Sequence, residues 1–118
     1  MMKRQHLDLD KLYDHIIDTM VENMDYESAS MDEEYDIDDT YMLVIDISAK
    51  LDCKFARDDD YFNGTGVFYT TSAETRVNRL EIDLFNKETD EYEDLHGLID
   101  FSFLRYKIEE QLTEAAYE

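Results

Sequence analysis

The chain contains no proline, one cysteine and three glycines among its 118 residues. A single cysteine excludes an intrachain disulfide, which is typical of proteins in a reducing compartment. The three scattered glycines exclude a glycine-rich phosphate-binding loop. No apolar run approaches the length of a membrane-spanning helix. We therefore expect a cytoplasmic protein that holds no cofactor.

Basic residues are also scarce, because 11 Lys and Arg stand against 31 Asp and Glu, which gives a formal net charge of −20 at pH 7. Phosphate groups are bound by Lys and Arg, so direct binding to nucleic acid or to an anionic membrane is unfavourable. The same charge favours a basic protein as the partner. Lys50, Lys54 and Arg79 lie among acids, and we expect them to form cross-strand ion pairs.

Apolar residues make up 43% of the chain, which includes nine Tyr and six Phe. Disordered acidic chains are poor in aromatic residues, so this composition indicates a folded protein with acidic surfaces. The length is typical of one domain. We expect a single acidic α+β domain over residues 1–118.

Apolar residues recur at helical spacing near both ends of the chain. The first group predicts a helix over residues 8–24, with Asp8 and Asp10 at its start, where a carboxylate can cap free N–H groups and meet the positive end of the helix dipole. In the second group, residues 98–103 alternate as in a strand, but the longer spacing favours a helix over residues 101–116, with Asp100 as its N-cap.

Strict alternation of apolar and polar residues from Tyr41 to Phe55 predicts one long strand with a buried and a wet face. Returning strands are predicted over residues 67–71 and 77–85, separated by a weak turn at residues 71–74, and Asn63-Gly64 is a hairpin signal. The prediction is an α+β fold in the order α-β-β-β-α, with an antiparallel sheet of three to four strands and a helix at each terminus.

Residues 25–39 hold eight acids and no base. The segment has no clear period, so it is interpreted as a solvated loop that like-charge repulsion keeps extended. The alternative is an acidic and aromatic docking segment, in which charges set the association rate and an aromatic residue adds affinity. Its candidate binding residues are Asp32, Glu33, Glu34, Tyr35 and Asp36.

We find no set of catalytic residues and no metal site at a meaningful spacing. The histidines, His6, His15 and His96, are not spaced as metal ligands. Cys53 lies on the buried face of the long strand, where an inert thiol is expected. The run Asp58–Asp60 before Asn63-Gly64 bears a faint likeness to a calcium loop but lacks its later ligands, and a polar hairpin turn is the alternative.

Charge and missing chemistry together favour a non-catalytic module that docks on a basic protein surface. One form is a DNA mimic, since about ten base pairs of duplex carry twenty charges. Another is an immunity-type inhibitor of a basic toxin. The alternative is a structural or assembly protein, or a homo-oligomer, whose acidity serves solubility alone. Clustered carboxylates favour the binding module, whereas an even spread favours the alternative.

Overall fold

A computed structural model describes residues 8–59, 66–95 and 97–117, with residues 57–59 and 66–69 described by their backbone alone. The elements follow in the order α1 (Leu9–Asn23), β1 (Ser28–Asp36), β2 (Tyr41–Asp59), β3 (Gly66–Asn86), β4 (Glu91–Glu93) and α2 (Phe101–Ala116). The strands form one antiparallel sheet in the order β1-β2-β3-β4. The predicted α+β class, with an antiparallel sheet and a helix at each terminus, is confirmed.

Both helices begin at an aspartate that caps a free backbone N–H. The N–H of Lys11 donates to Asp8 over 3.1 Å, and the N–H of Phe103 donates to Asp100 over 3.0 Å. Both predicted N-caps are therefore confirmed. Within the described ranges, no helix is long and apolar enough to cross a membrane. The apolar faces of the two helices bury Leu12, Ile16, Met20, Leu104, Ile108 and Leu112.

The core lies between these helices and one face of the sheet. Leu43, Ile45 and Ile47 of β2 are fully buried, and Ile45 pairs with Ile82 of β3. The alternation predicted for β2 is confirmed from Tyr41 to Leu51, whereas Cys53 is half-buried and Phe55, beyond a register shift, is 44% exposed. The other face carries no helix in the part of the chain that the structure describes, and we call it the open face. It is formed by Ser28, Ser30, Asp32, Glu34, Asp36, Met42, Val44, Asp46, Ser48, Lys50, Asp52, Glu74, Arg76, Arg79, Glu81, Asp83, Phe85 and Tyr92.

Two local predictions are wrong. Residues 28–36 form β1 and not a loop, because Ala29 and Met31 alternate with polar residues and bury against the core. The turn predicted at residues 71–74 is absent, because β3 continues through this segment and its pairing with β2 shifts register at two points. The hairpin signal Asn63-Gly64 lies outside the described residues.

The molecule is a rod of 66 × 21 × 21 Å with a radius of gyration of 18.3 Å. A compact domain of this length has a radius of gyration of about 13–14 Å. The length comes from β3, since 21 residues at about 3.3 Å each span the long axis. We call residues 50–59 and 66–76 the arm and the other described residues the body. The C-terminal half of α2 reaches along the arm, where the hydroxyl of Thr70 donates to the carbonyl of Ala116 over 2.7 Å.

Candidate functional site

The open face of the body carries a row of carboxylates that runs across three strands. Asp32 of β1 pairs with Asp46 of β2, and Asp46 pairs with Glu81 of β3. Neighbouring strands are about 4.8 Å apart, so three acids stand side by side. Like charges directly opposite one another destabilise a sheet. The arrangement therefore weakens the fold locally and produces a strongly negative surface.

One base offsets part of this charge. Nη1 of Arg79 lies 3.0 Å from Oδ2 of Asp46, which confirms the ion pair predicted for Arg79. The hydrogen bond and charge of Asp46, followed by the charge of Glu81, raise the pKa of Arg79. Lys50 and Lys54 form no ion pair with any described residue, so the prediction for these two lysines is wrong.

At the end of the open face, an aromatic pair lies beside the carboxylates. Phe85 of β3 pairs with Tyr92 of β4, and their ring centroids lie 5.1 Å apart in an edge-on arrangement. Tyr92 is 64% exposed. Asp36 borders the same row and lies 3.2 Å from Nζ of Lys87. The open face thus offers charges together with an aromatic group of the kind that often anchors a protein interface.

The structure divides the predicted binding residues between the two faces of β1. Asp32, Glu34 and Asp36 point to the open face, whereas Glu33 and Tyr35 point towards α1. Because successive strand residues point to opposite faces, these five side chains do not form one contact surface.

Glu33 and Tyr35 attach α1 to β1. Nε2 of His15 on α1 lies 2.8 Å from Oε2 of Glu33, within hydrogen-bond distance. The ring of His15 lies 5.5 Å from that of Tyr35. Replacing Tyr35 should therefore destabilise the fold, because its ring packs against the core. The contact between His15 and Glu33 joins positions 18 residues apart, so no local pattern in the sequence predicts it.

The charge is divided unequally along the rod. The described residues of the arm hold four acids and four bases and have no net charge. The described residues of the body hold 25 acids and five bases, which gives a net charge of −20. Almost all of the negative field therefore belongs to the body.

Cys53 lies in the arm and is half-buried against the edge of the core. Desolvation, followed by the charge of Asp52, raises the pKa of Cys53. The thiol consequently stays protonated at neutral pH and is a poor nucleophile.

Across the described ranges, no group of three or more His, Cys, Asp or Glu side chains is arranged to hold a metal ion. The calcium-loop alternative is centred on residues 60–64, which lie outside the described residues, as do His6 and His96. No protein-family model, curated protein or solved structure matches this chain. Function is therefore inferred from geometry and charge alone.

Proposed function

We propose that this protein is a non-catalytic binding module whose acidic body docks on a basic surface of another protein. The division of charge carries the proposal, because the described body has a net charge of −20 and the described arm has none. Acidity that served solubility alone would need no such division. A concentrated field also accelerates encounter with a basic partner.

The carboxylate row of the open face supports the same function. Asp32, Asp46 and Glu81 repel one another, and Arg79 is the one described base that forms an ion pair within the row. A natural sheet normally avoids such rows, and departures from local consistency are often functional. Lys or Arg side chains of a partner would relieve the repulsion, so part of the binding energy would come from strain already present in the free protein.

The amount of charge favours a nucleic-acid-binding protein as the partner. The described body carries a net charge of −20. Duplex DNA carries about one charge per 1.7 Å, so about ten base pairs carry the same charge. We therefore favour the DNA mimic over other acidic inhibitors.

The test is a quantitative pulldown from lysate of the source cells at low salt, with elution by salt. Asp32→Asn with Glu34→Gln removes two charges from the open face of the body. The matched control, Asp52→Asn with Glu74→Gln, removes two charges from the arm. We expect the body variant to lose the salt-eluted partner and the arm variant to retain it.

Equal losses in both variants would contradict docking through the body. A short DNA duplex, added as competitor, tests the narrower form of the proposal. Displacement of the captured protein by duplex supports mimicry. Retention of that protein at saturating duplex contradicts mimicry but leaves docking on a basic surface in place.

A second candidate function is self-association through the arm. Lys50 pairs with Arg76, and two residues further along the strands Asp52 pairs with Glu74. These four residues line a pocket of about 270 Å³ on the open face. A basic row beside an acidic row is self-complementary when two copies meet around a twofold axis.

Sedimentation velocity tests this candidate. If it is correct, Lys50→Glu with Arg76→Glu dissociates a dimer, and the added changes Asp52→Lys with Glu74→Lys restore it. A wild-type protein that stays monomeric across the accessible concentration range would remove the candidate.

A further inference from the structure

A groove runs between α1 and α2 on the outer surface of the helix layer, on the opposite side of the sheet from the open face. Its volume is about 270 Å³. Tyr13, Ile17 and Phe103 supply its apolar floor. The rings of Tyr13 and Phe103 lie 5.7 Å apart, yet Phe103 remains 43% exposed. An exposed aromatic ring in a concave site is typical of a binding surface.

One wall of the groove carries a regular row of acids. Asp10, Asp14 and Asp18 recur at intervals of four residues on α1, so they lie on one helix face about 6 Å apart. None of the three forms an ion pair with a described residue. Like charges at this spacing destabilise a helix. The repulsion within this row therefore destabilises α1, and no ion pair with a described residue offsets it.

The opposite wall carries one base, Lys107. Its Nζ lies 3.5 Å from Oε1 of Glu110 and 6.0 Å from the centre of the Phe103 ring. Lys107 is thus held on its own helix and leaves the acids of α1 available. The groove combines an apolar floor with a negative wall.

We propose that this groove binds an amphipathic helix of a partner protein, with Lys or Arg at intervals of four residues facing α1. Such a helix repeats its charges at the same spacing of about 6 Å as Asp10, Asp14 and Asp18. Helices that cross at about 20° remain in contact over several turns, so its apolar residues would reach the aromatic floor.

An extended peptide fits this surface less well. Extended peptides gain most of their affinity from backbone hydrogen bonds to a free sheet edge. The backbone groups of α1 and α2 are satisfied within the helices. The groove therefore favours a helix as its occupant. This inference goes beyond docking through the open face and does not rest on it.

The probe is a synthetic peptide of about 18 residues, or five helical turns, with Leu and Lys at amphipathic spacing and one Trp. The protein has no Trp, so the fluorescence reports the peptide alone. A scrambled peptide of the same composition keeps the charge but loses the apolar face. We expect the amphipathic peptide to bind at least about tenfold more tightly than the scrambled peptide.

Two groove variants and one control complete the test. Phe103→Ala should weaken binding by about tenfold. Asp14→Asn with Asp18→Asn should weaken binding and flatten its salt dependence. Asp39→Asn with Glu91→Gln removes the same charge from exposed positions outside the groove and should leave the dissociation constant within about twofold.

Equal binding of the two peptides, or equal loss in the groove and control variants, would overturn the proposal. The Asp14 and Asp18 changes replace exposed side chains, so they keep the test decisive if Phe103→Ala lowers stability. Failure of the peptide to bind overturns the groove proposal alone, because docking through the open face is decided by the pulldown.

Discussion

Nη1 of Arg79 lies 3.0 Å from Oδ2 of Asp46, at the centre of a row in which Asp32, Asp46 and Glu81 stand side by side. The pair is largely exposed, and exposed ion pairs contribute little by themselves. The main effect of Arg79 is therefore to reduce repulsion among the three carboxylates. This repulsion is screened by salt, so the contribution of Arg79 should depend on ionic strength.

Arg79→Gln should lower the melting temperature by about 1–3 °C at low salt, and the difference should shrink as NaCl is added. Thermal unfolding over a salt series measures it. Arg76→Gln is the matched control, because Arg76 forms no ion pair with a described residue. A loss that stays constant across the salt series would show that Arg79 acts through packing and not through charge.

Met31→Ala should lower the free energy of unfolding by about 2–5 kcal/mol, because it removes a buried side chain and leaves a cavity. Met31 is only 4% exposed, whereas the neighbouring Asp32 points to the open face. Urea unfolding of Met31→Ala and Asp32→Ala compares the two faces of β1. Equal effects would contradict the alternation of β1, since a shift of one residue exchanges its faces.

Asp25 links stability to pH. Its Oδ1 accepts hydrogen bonds from the N–H groups of Glu27 at 2.7 Å and Ser28 at 2.8 Å. These two bonds lower the pKa of Asp25 below its ordinary value of 3.8. A group whose pKa is lowered on folding stabilises the protein above its unfolded pKa, and this stabilisation is lost as the pH falls through the folded value.

Asp25→Ala should therefore lower the melting temperature at neutral pH, and its difference from wild type should close as the pH falls below 3.8. Glu22→Gln serves as the control, because Glu22 is exposed and forms no ion pair with a described residue. A difference that persists undiminished in strong acid would assign the effect to something other than the ionised carboxylate.

Side chains of α2 cover the outer edge of β3 at Val77. The N–H of Val77 donates to Oε2 of Glu109 over 2.9 Å, and its carbonyl accepts from Nη1 of Arg105 over 2.6 Å. Glu109→Ala should accelerate hydrogen exchange of the Val77 amide by about tenfold or more. NMR exchange measures it, with Glu114→Ala as the control on the same helix. Unchanged protection of Val77 would show that Glu109 does not shield this edge.

The helices and β2 could be predicted because their apolar residues keep one period over many positions. β1 could not, because only Ala29 and Met31 mark its buried face within a segment of eight acids. Like-charge repulsion alone favours a loop there. Burial of Ala29 and Met31 against the core, together with pairing to β2, outweighs it.

The candidate site could be predicted in part. The local density of charge predicts Asp32, Glu34 and Asp36 as binding residues, and their position on one face follows from the strand period. Their alignment with Asp46 and Glu81 depends on pairing between distant strands, for which one sequence gives no register. Grouping Glu33 and Tyr35 with these acids assumes that the segment is a loop. In a strand, the side chains of Glu33 and Tyr35 point to the opposite face.

The most direct test of the central claim is the association rate with the partner isolated by the pulldown, measured over a salt series. Wild type should associate fast at low salt and slow steeply as salt is added. Asp32→Asn with Glu34→Gln should associate more slowly at low salt and with a flatter salt dependence. Asp52→Asn with Glu74→Gln should match wild type. Identical kinetics for wild type and the open-face variant would contradict docking through the acidic body.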